Sequence, residues 1–503
     1  MSGLKLGFDT GVSAQYLASF ESKNLLSARK DPNKVSDIIA DELQKGYLIG
    51  PFHTPPFQPY RVSPAGLSEH KYSGKKRLIV SPHDNPEHPS INDLIPQDQY
   101  SLSYVTIDHA IHIIQKLGQG SWLCKCDIKE AFKQLPIHPK LWHLHGIKWQ
   151  DQYYFFTRLV FGSRSSPKIF DTLSQAIVWI AQNNFGIDHI LHLLDDFLTI
   201  ARPEAEPMRN MALLSMLFNQ LGIPLAEHKT VGPCHKLEYL GIILDTQAME
   251  ARLPLDKMAR ITSQLETFLG KNSCRKRDLL SLIGHLVFAS RVVVPGRSFM
   301  SRLFVAANAA RELHHHVTLT AACKADLHMW SHLLRKWNGI SMFLEQEVTL
   351  ANDLHLYTDA SSTIGFGGYY QGQWFYGAWP EKVLSAVSDD LSIAFKELYP
   401  IVVAAILWGE HWSKKRIQFH CDNLPTVQIL NKGRSPCPLI MKLLRRLVIT
   451  ATIHSFTYLA KHIPGATNLI ADSLSRHQFQ KFRKLAPEAA PQPCTLPANV
   501  MFG

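Results

Sequence analysis

Asp195 and Asp196 stand side by side in Ile190-Leu-His-Leu-Leu-Asp-Asp-Phe-Leu-Thr-Ile200, where the two acids interrupt an apolar run on both sides. Such a run reads as two buried strands, with the Asp pair at a tight hairpin turn between them. Adjacent carboxylates repel unless something positive lies beside them, so this placement suits a hard divalent cation, magnesium first. Asp-Asp pairs are also common in solvated turns, and the surroundings decide between the two. Upstream, Ser121-Trp-Leu-Cys-Lys-Cys-Asp-Ile-Lys-Glu-Ala-Phe132 is a second apolar strand ending in an acid, Asp127, which could complete the cation site. Between them, Leu159-Val-Phe-Gly-Ser-Arg-Ser-Ser-Pro-Lys-Ile-Phe170 is a Gly-containing loop with Ser before Pro167, opening a helix to about Asn184.

A second group of acids follows Leu354, where the pattern becomes alternating strands with Gly-rich turns. Asp359 ends the first strand, Glu397 lies on the apolar helix Ile393 to Trp408, Asp422 ends the strand that includes Ile417 to Cys421, and Asp472 begins the last helix. His462 stands ten residues before Asp472, on an expected loop. Singly, each acid reads as a cap or a solvated side chain; their order gives them a common meaning.

Strand-Asp, loop-helix and Asp-Asp hairpin, in that order, resemble the palm of a reverse transcriptase. The finer resemblance is to the DIRS group of retrotransposons, over roughly residues 35 to 490. It rests on Lys76-Arg77-Leu-Ile-Val80, Ser90-Ile-Asn-Asp93, Phe161-Gly162, Leu193-Leu-Asp-Asp-Phe197, Leu282-Ile-Gly-His-Leu286 and Pro295-Gly-Arg-Ser-Phe299. Leu193 departs from the Tyr that most reverse transcriptases carry there, a residue near the primer end that bears on fidelity and rate. Asp359, Glu397 and Asp422-Asn423, with His462-Ile-Pro-Gly-Ala-Thr-Asn468 leading to Asp472-Ser-Leu-Ser-Arg476, resemble a retroelement RNase H domain.

The resemblance implies an α+β multidomain chain: a right-hand polymerase of fingers, palm and thumb followed by an α/β RNase H-like domain. It implies RNA-directed DNA synthesis and cleavage of the RNA strand of a hybrid, with two Mg2+ per site and Mn2+ as substitute. Asp127, Asp195 and Asp196 would hold metal in the palm together with the carbonyl of Ile128, and Asp359, Glu397, Asp422 and Asp472 would hold it in the second site. Arg77, ahead of Lys76, would bind the triphosphate, and Phe161 and Gly162 would line the nucleotide. Phe132 would lie under the sugar and exclude a 2′-hydroxyl; a core Phe is equally compatible. Lys229 matches a lysine that protonates departing pyrophosphate, with a plain surface lysine the equal alternative. His462 would assist the leaving phosphate. The implied partners are an RNA template, a DNA primer, RNA–DNA hybrid, dNTPs and other proteins of the element such as a recombinase.

Composition agrees with a globular nucleic-acid enzyme. The 503 residues are 46% hydrophobic, and 53 Lys plus Arg against 42 Asp plus Glu give +11, which fits a polyanion partner. Eight scattered cysteines without paired zinc spacing read as reduced thiols. With no signal peptide and no apolar run of membrane length, the expectation is an intracellular protein, in cytoplasm and/or nucleus, that meets no membrane. Expected domains are a leader (1–34), fingers and palm (35–250), helical thumb and connection (251–348), an RNase H-like domain able to fold alone (349–477) and a Pro/Ala-rich tail of linker composition (478–503). A catalytically impaired nucleic-acid-binding relic and a gypsy-type or pararetroviral polymerase are the competing readings.

Overall fold

Apolar residues on both faces of the strand runs around Asp127 and Asp195 demand cover on both sides, and the computed structural model supplies it. The structure describes residues 2–13, 17–69, 74, 76–80, 89–337, 340–342, 348–350, 353–380, 393–413, 415–454, 456–498 and 500. The chain forms two compact units, residues 1–240 and 241–503.

In the first unit the helix α1 (Pro32–Gln44) starts at Asp31, whose carboxylate caps the Lys34 amide. Strand β1 (Lys76–Val80) pairs antiparallel with Ala65–Glu69. Four antiparallel strands then make the central sheet, in the order β5 (Val231–Cys234), β2 (Trp122–Asp127), β4 (Asp196–Ala201), β3 (Ile190–Leu193). Helices α2 (Ser166–Phe185) and α3 (Arg209–Gln220) cover it, burying Phe170, Ile177, Leu214 and Phe218 with Phe197 and Cys126 of the sheet. α2 opens with Pro167 in its first turn, where the missing N–H costs nothing, as its sequence predicts, but the Ser before that Pro makes no side-chain cap bond, and the helix closes at Gly186 in the left-handed region, just past the expected end near Asn184. A separate five-stranded sheet contains Phe20–Glu21, Arg61–Val62, Gly146–Trp149, Gln152–Phe156 and Leu48–Phe52.

The N-terminal segment is not a detached leader. Phe8 exchanges backbone hydrogen bonds with Pro136 and His138, Phe20–Glu21 is a strand of the five-stranded sheet, Thr10 is buried against His145, and Ala28 is wholly buried. Its polar composition concealed this because the bonds that tie it down are mostly backbone bonds, which leave no side-chain periodicity.

After the strands Ile242–Asp245 and Glu250–Arg252, the second unit forms helices α4 (Leu255–Leu269), α5 (Lys276–Ala289) and α6 (Ala321–Trp337), in the stretch expected to be a helical thumb and connection. Strands β6 (Leu356–Ala360), β7 (Gly365–Tyr370) and β8 (Gln373–Ala378) form an antiparallel sheet. α7 (Ile393–Trp408) is apolar all round and buried over most of its length, as such a helix must be. β9 (Arg416–Cys421) runs parallel to Val348–Leu350 on one side and to β10 (Thr457–His462) on the other. Between them lie α8 (Leu424–Lys432) and α9 (Pro438–Ile453), and the chain continues into α10 (Leu469–Ser475) and α11 (Phe479–Leu485). One core unites Phe366, Phe375, Leu398, Val402, Phe419 and Leu444.

Two boundaries differ from expectation. The Pro/Ala-rich stretch is packed chain: Phe482 and Ala486 are buried against Tyr369 and Trp374, Arg483 donates to the carbonyls of Ala489, Ala490 and Pro491, and the Cys494 amide bonds to the Trp374 carbonyl. On the other side, Asp326 of α6 forms a buried ion pair with Arg445 of α9 at 2.5 Å. A fragment of residues 349–477 would therefore expose the sheet face under Phe482 and lose the Asp326–Arg445 pair together with the Phe299 ring that lies against Arg445. Phe482→Ala in the full chain should destabilise the second unit by about 3–5 kcal/mol. Urea unfolding followed by near-ultraviolet circular dichroism measures it, and an unchanged midpoint would return the tail to the status of a linker.

Candidate active sites

Antiparallel pairing of β2 with β4 sets Asp127 directly opposite Asp196. The turn between β3 and β4 consists of Leu194, in the left-handed region at φ 54°, and Asp195. The Asp pair is thus split: Asp195 is a turn residue and Asp196 opens the strand, where the sequence placed both in the turn. The Asp195 carbonyl accepts from the Ile128 amide at 3.0 Å, which ties the hairpin tip to the end of β2. Ile128 itself is buried. Burial and the neighbouring Asp127 charge raise Asp195, and burial pushes Asp196 up to about 6.

Two lysines answer this crowding. Lys229 Nζ bonds both carboxylate oxygens of Asp127 at 2.9 Å, and Lys125 Nζ lies 3.4 Å from Asp196 Oδ2. Lys125 was overlooked in the sequence, although its spacing from Asp127 puts both on one face of a strand. Asp196 Oδ1 is buried without a hydrogen-bond partner among the described residues. An orphaned carboxylate oxygen among oxygen donors fits a hard divalent cation.

Around this cluster, Arg77 is exposed on β1, and its charge acts to lower Asp195. Lys76 is turned to Asp31, with Nζ 2.6 Å from the carboxylate, and is committed to holding α1 to the strand. Phe132 is mostly buried; its ring stands 4.8 Å from Phe161 and 5.7 Å from Phe170, centroid to centroid. Phe161 is partly exposed, and Gly162 at φ 106° takes a backbone conformation open to glycine. The Gly162 carbonyl accepts from the Asn92 side chain, and the Phe161 carbonyl from the Val80 amide, so the loop is latched to β1 and to the Ser90–Asp93 turn.

In the second unit Asp359 lies near the end of β6, Asp422 follows β9, Glu397 projects from α7 and Asp472 sits on α10. Their charges act on one another: burial, with Asp422 and Asp472, lifts Asp359 to about 6, and burial, with Asp359 and Asp422, lifts Glu397 to about 9. Glu397 is 6% exposed, and no hydrogen-bond donor meets its carboxylate among the described residues. Ser475 Oγ donates to Asp359 at 2.6 Å, and Asp472 is paired with Arg476 at 2.6 Å and Lys481 at 3.6 Å. Ser475 lay in the quoted motif without a role; its three-residue spacing from Asp472 on a helix was the available signal. His462 is not on a loop: it ends β10, paired in register with Cys421, and its Nε2 is 3.0 Å from the Asp422 carbonyl. Four converging acids with an unpartnered buried carboxylate fit a divalent-cation site as the first cluster does.

Residues 64–244 match the family described as reverse transcriptase (RNA-dependent DNA polymerase). The Gag-Pol polyprotein of avian reticuloendotheliosis virus is 23% identical over 273 residues, covering 52% of this chain and 21% of that polyprotein. The genome polyprotein of petunia vein clearing virus (isolate Shepherd) is 22% identical over 169 residues, 34% of this chain and 7% of its own length. The chain thus spans about a fifth or less of the curated relatives it matches. Among solved structures, the foamy viral protease-reverse transcriptase dRH in complex with double-stranded DNA matches with TM-score 0.53 and 16% identity, over 90% of this chain and 73% of that one. The foamy viral protease-reverse transcriptase in complex with RNA/DNA hybrid gives 0.51 and 15%, over 90% and 56%. Residues 64–244 are thus similar to the reverse transcriptase family, and the chain shares the fold of the foamy viral protease-reverse transcriptase structures. No helix among the described residues is long and apolar enough to cross a membrane.

A raised carboxylate means the folded form keeps a proton the unfolded form has lost, so Glu397 lowers stability progressively as pH rises from 4.5 toward about 9. The slope is at most about 1.4 kcal/mol per pH unit. Glu397→Gln should therefore melt at the same temperature as the parent near pH 4 and higher at pH 7, both without metal. Equal melting at both values would mean that Glu397 carries no buried charge penalty.

Proposed function

We propose that the chain is an RNA-directed DNA polymerase of a DIRS-like retroelement whose second unit is an RNase H-like domain that cleaves the RNA strand of an RNA–DNA hybrid. The observation that carries the polymerase reading is the convergence of Asp127, Asp195 and Asp196 at one end of a buried sheet inside the matched domain. The quoted DIRS-like motifs support the subtype, which brings the expectation of a recombinase from elsewhere in the element and an intracellular site of action. A net charge of +11 supports template, primer and hybrid as partners.

Asp127, Asp195 and Asp196 would hold magnesium or manganese, and Asp359, Glu397, Asp422 and Asp472 would do so in the second unit. Bound there, the cations supply Lewis acidity and charge neutralisation for displacement at phosphorus. Arg77 receives the triphosphate. Lys229, beside the site and held at Asp127, would give a proton to the departing pyrophosphate. Phe132, backed by Phe161 and Phe170, holds a flat wall that a 2′-hydroxyl would strike. In the second site His462, held at the Asp422 carbonyl, attends the leaving phosphate. The 2′-hydroxyl there marks the RNA strand for cutting.

Primer extension on an RNA template with dNTPs and magnesium tests the reading. Asp195→Asn should lower synthesis by about 10²–10³-fold or more, on the scale of removing one transition-state-stabilising group, and leave hybrid cleavage intact. Near-normal synthesis by that variant would refute the assignment of the first site. Phe132→Val should raise the ratio of ribonucleotide to deoxynucleotide incorporation. An unmoved ratio makes Phe132 a core residue only.

A further inference from the structure

The carboxylates of the second site enclose a thiol. Cys421 is the last residue of β9, 3% exposed, with its sulfur accepting a hydrogen bond from the Asn423 amide at 3.4 Å. Ligand atoms of Glu397, Cys421 and Asp422 all lie within 4.8 Å of one another. Among the described residues no other cysteine meets two carboxylates in this way. Glu397, buried and without a hydrogen-bond donor among the described residues, gives the cluster a second feature that points to a cation.

From this geometry we infer that Glu397, Cys421 and Asp422 form a capture site for thiophilic divalent ions such as Zn2+ and Cd2+, distinct in ligand set from the oxygen-only site for magnesium. The inference rests on the reading of this cluster as a metal site. Magnesium takes oxygen ligands and leaves a thiol alone, whereas zinc and cadmium bind thiolate sulfur strongly. Zinc–sulfur bonds of about 2.3 Å and zinc–oxygen bonds of about 2.0–2.2 Å need the ligand atoms only modestly closer than they stand. The thiol, and the Glu397 carboxyl wherever it carries a proton, give their protons to solvent as the thiolate and carboxylate lone pairs form the bonds to the metal, so binding releases protons and changes no oxidation state. An ion so held leaves Asp359 and Asp472 outside its ligand set and takes Glu397 and Asp422 from magnesium. Thiophilic metal is therefore an inhibitor of this site, and Cys421 is the residue that makes it one.

The test uses the full chain, reduced, with Cd2+ as probe. Titration should develop the ultraviolet sulfur-to-cadmium charge-transfer band, and the difference between parent and Cys421→Ser should equal one thiolate per chain. Glu397→Gln should weaken cadmium affinity for that thiolate while leaving the sulfur in place. In parallel, hybrid cleavage in magnesium is followed with added Zn2+, each protein normalised to its own zinc-free rate, and the Cys421→Ser variant should tolerate at least tenfold more zinc. Should Cys421→Ser fail to fold by circular dichroism, Cys421→Ala serves the same comparison. Identical cadmium bands in parent and variant overturn the inference. A one-thiolate difference in a chain that cleaves no hybrid upholds the capture site and refutes the nuclease reading instead.

Discussion

Like charges forced together inside a protein are the constraint on which both sites depend. Pairing of β2 with β4 places Asp127 opposite Asp196, and the turn adds Asp195; like charges directly opposite one another weaken a sheet. The rest of the hairpin register offsets this, because each remaining cross-strand pair, from Cys126 with Phe197 to Trp122 with Ala201, brings apolar or neutral side chains or the stem of Lys125 together. Lys229 and Lys125 then supply the positive charge that makes the cluster tolerable in the absence of a cation. In the second unit the acids come from four different elements. Among the described residues Glu397 has no cationic partner there, and its carboxyl group is driven far above the ordinary range.

Rigidity is what keeps such clusters from relaxing. Glu397 cannot swing to water because α7 is buried around it, with Leu398, Ile401, Val402 and Ala405 wholly or nearly wholly covered. Asp359 is fixed by the Ser475 hydroxyl, and the Asn468 side chain bonds the neighbouring Thr358 carbonyl, so α10 is locked to β6 beside the acids. In the first unit the loop carrying Phe161 and Gly162 is pinned through Asn92 and Val80, which sets the ring of Phe161 against that of Phe132. The energy that holds these groups comes from apolar burial well away from them.

The chain ends contribute to the same economy of burial. Phe20–Glu21 complete a sheet edge and Ala28 joins a core, and the segment after α10 closes the outer face of β7 and β8 through Phe482, Ala486 and the cation–π contact of Arg483 with Trp374. Composition misled at both ends for one reason: Pro, Ala and polar residues bond through backbone atoms and small buried surfaces, which leave no periodic trace.

Local pattern alone determined the strand ends near Asp127 and Asp359, the hairpin turn at Asp195, the helix begun near Pro167, the buried helix of Glu397 and the change of architecture after Leu354. These are short-range properties, set by apolar period, turn residues and caps, and they are written in consecutive residues. What only the tertiary structure decided is which groups face one another across the chain. The resemblance ranked Arg77 ahead of Lys76 without a geometric reason, and strand alternation supplies one by sending Lys76 to Asp31 and leaving Arg77 exposed where its charge acts on Asp195. The sequence made His462 a loop residue, though β10 extends to include it. The nearness of Cys421 to two carboxylates, the Lys229 clasp on Asp127 and the Asp326–Arg445 pair join residues up to 119 positions apart. No local period encodes such distances, because register and packing fix them only once the strands and helices have met.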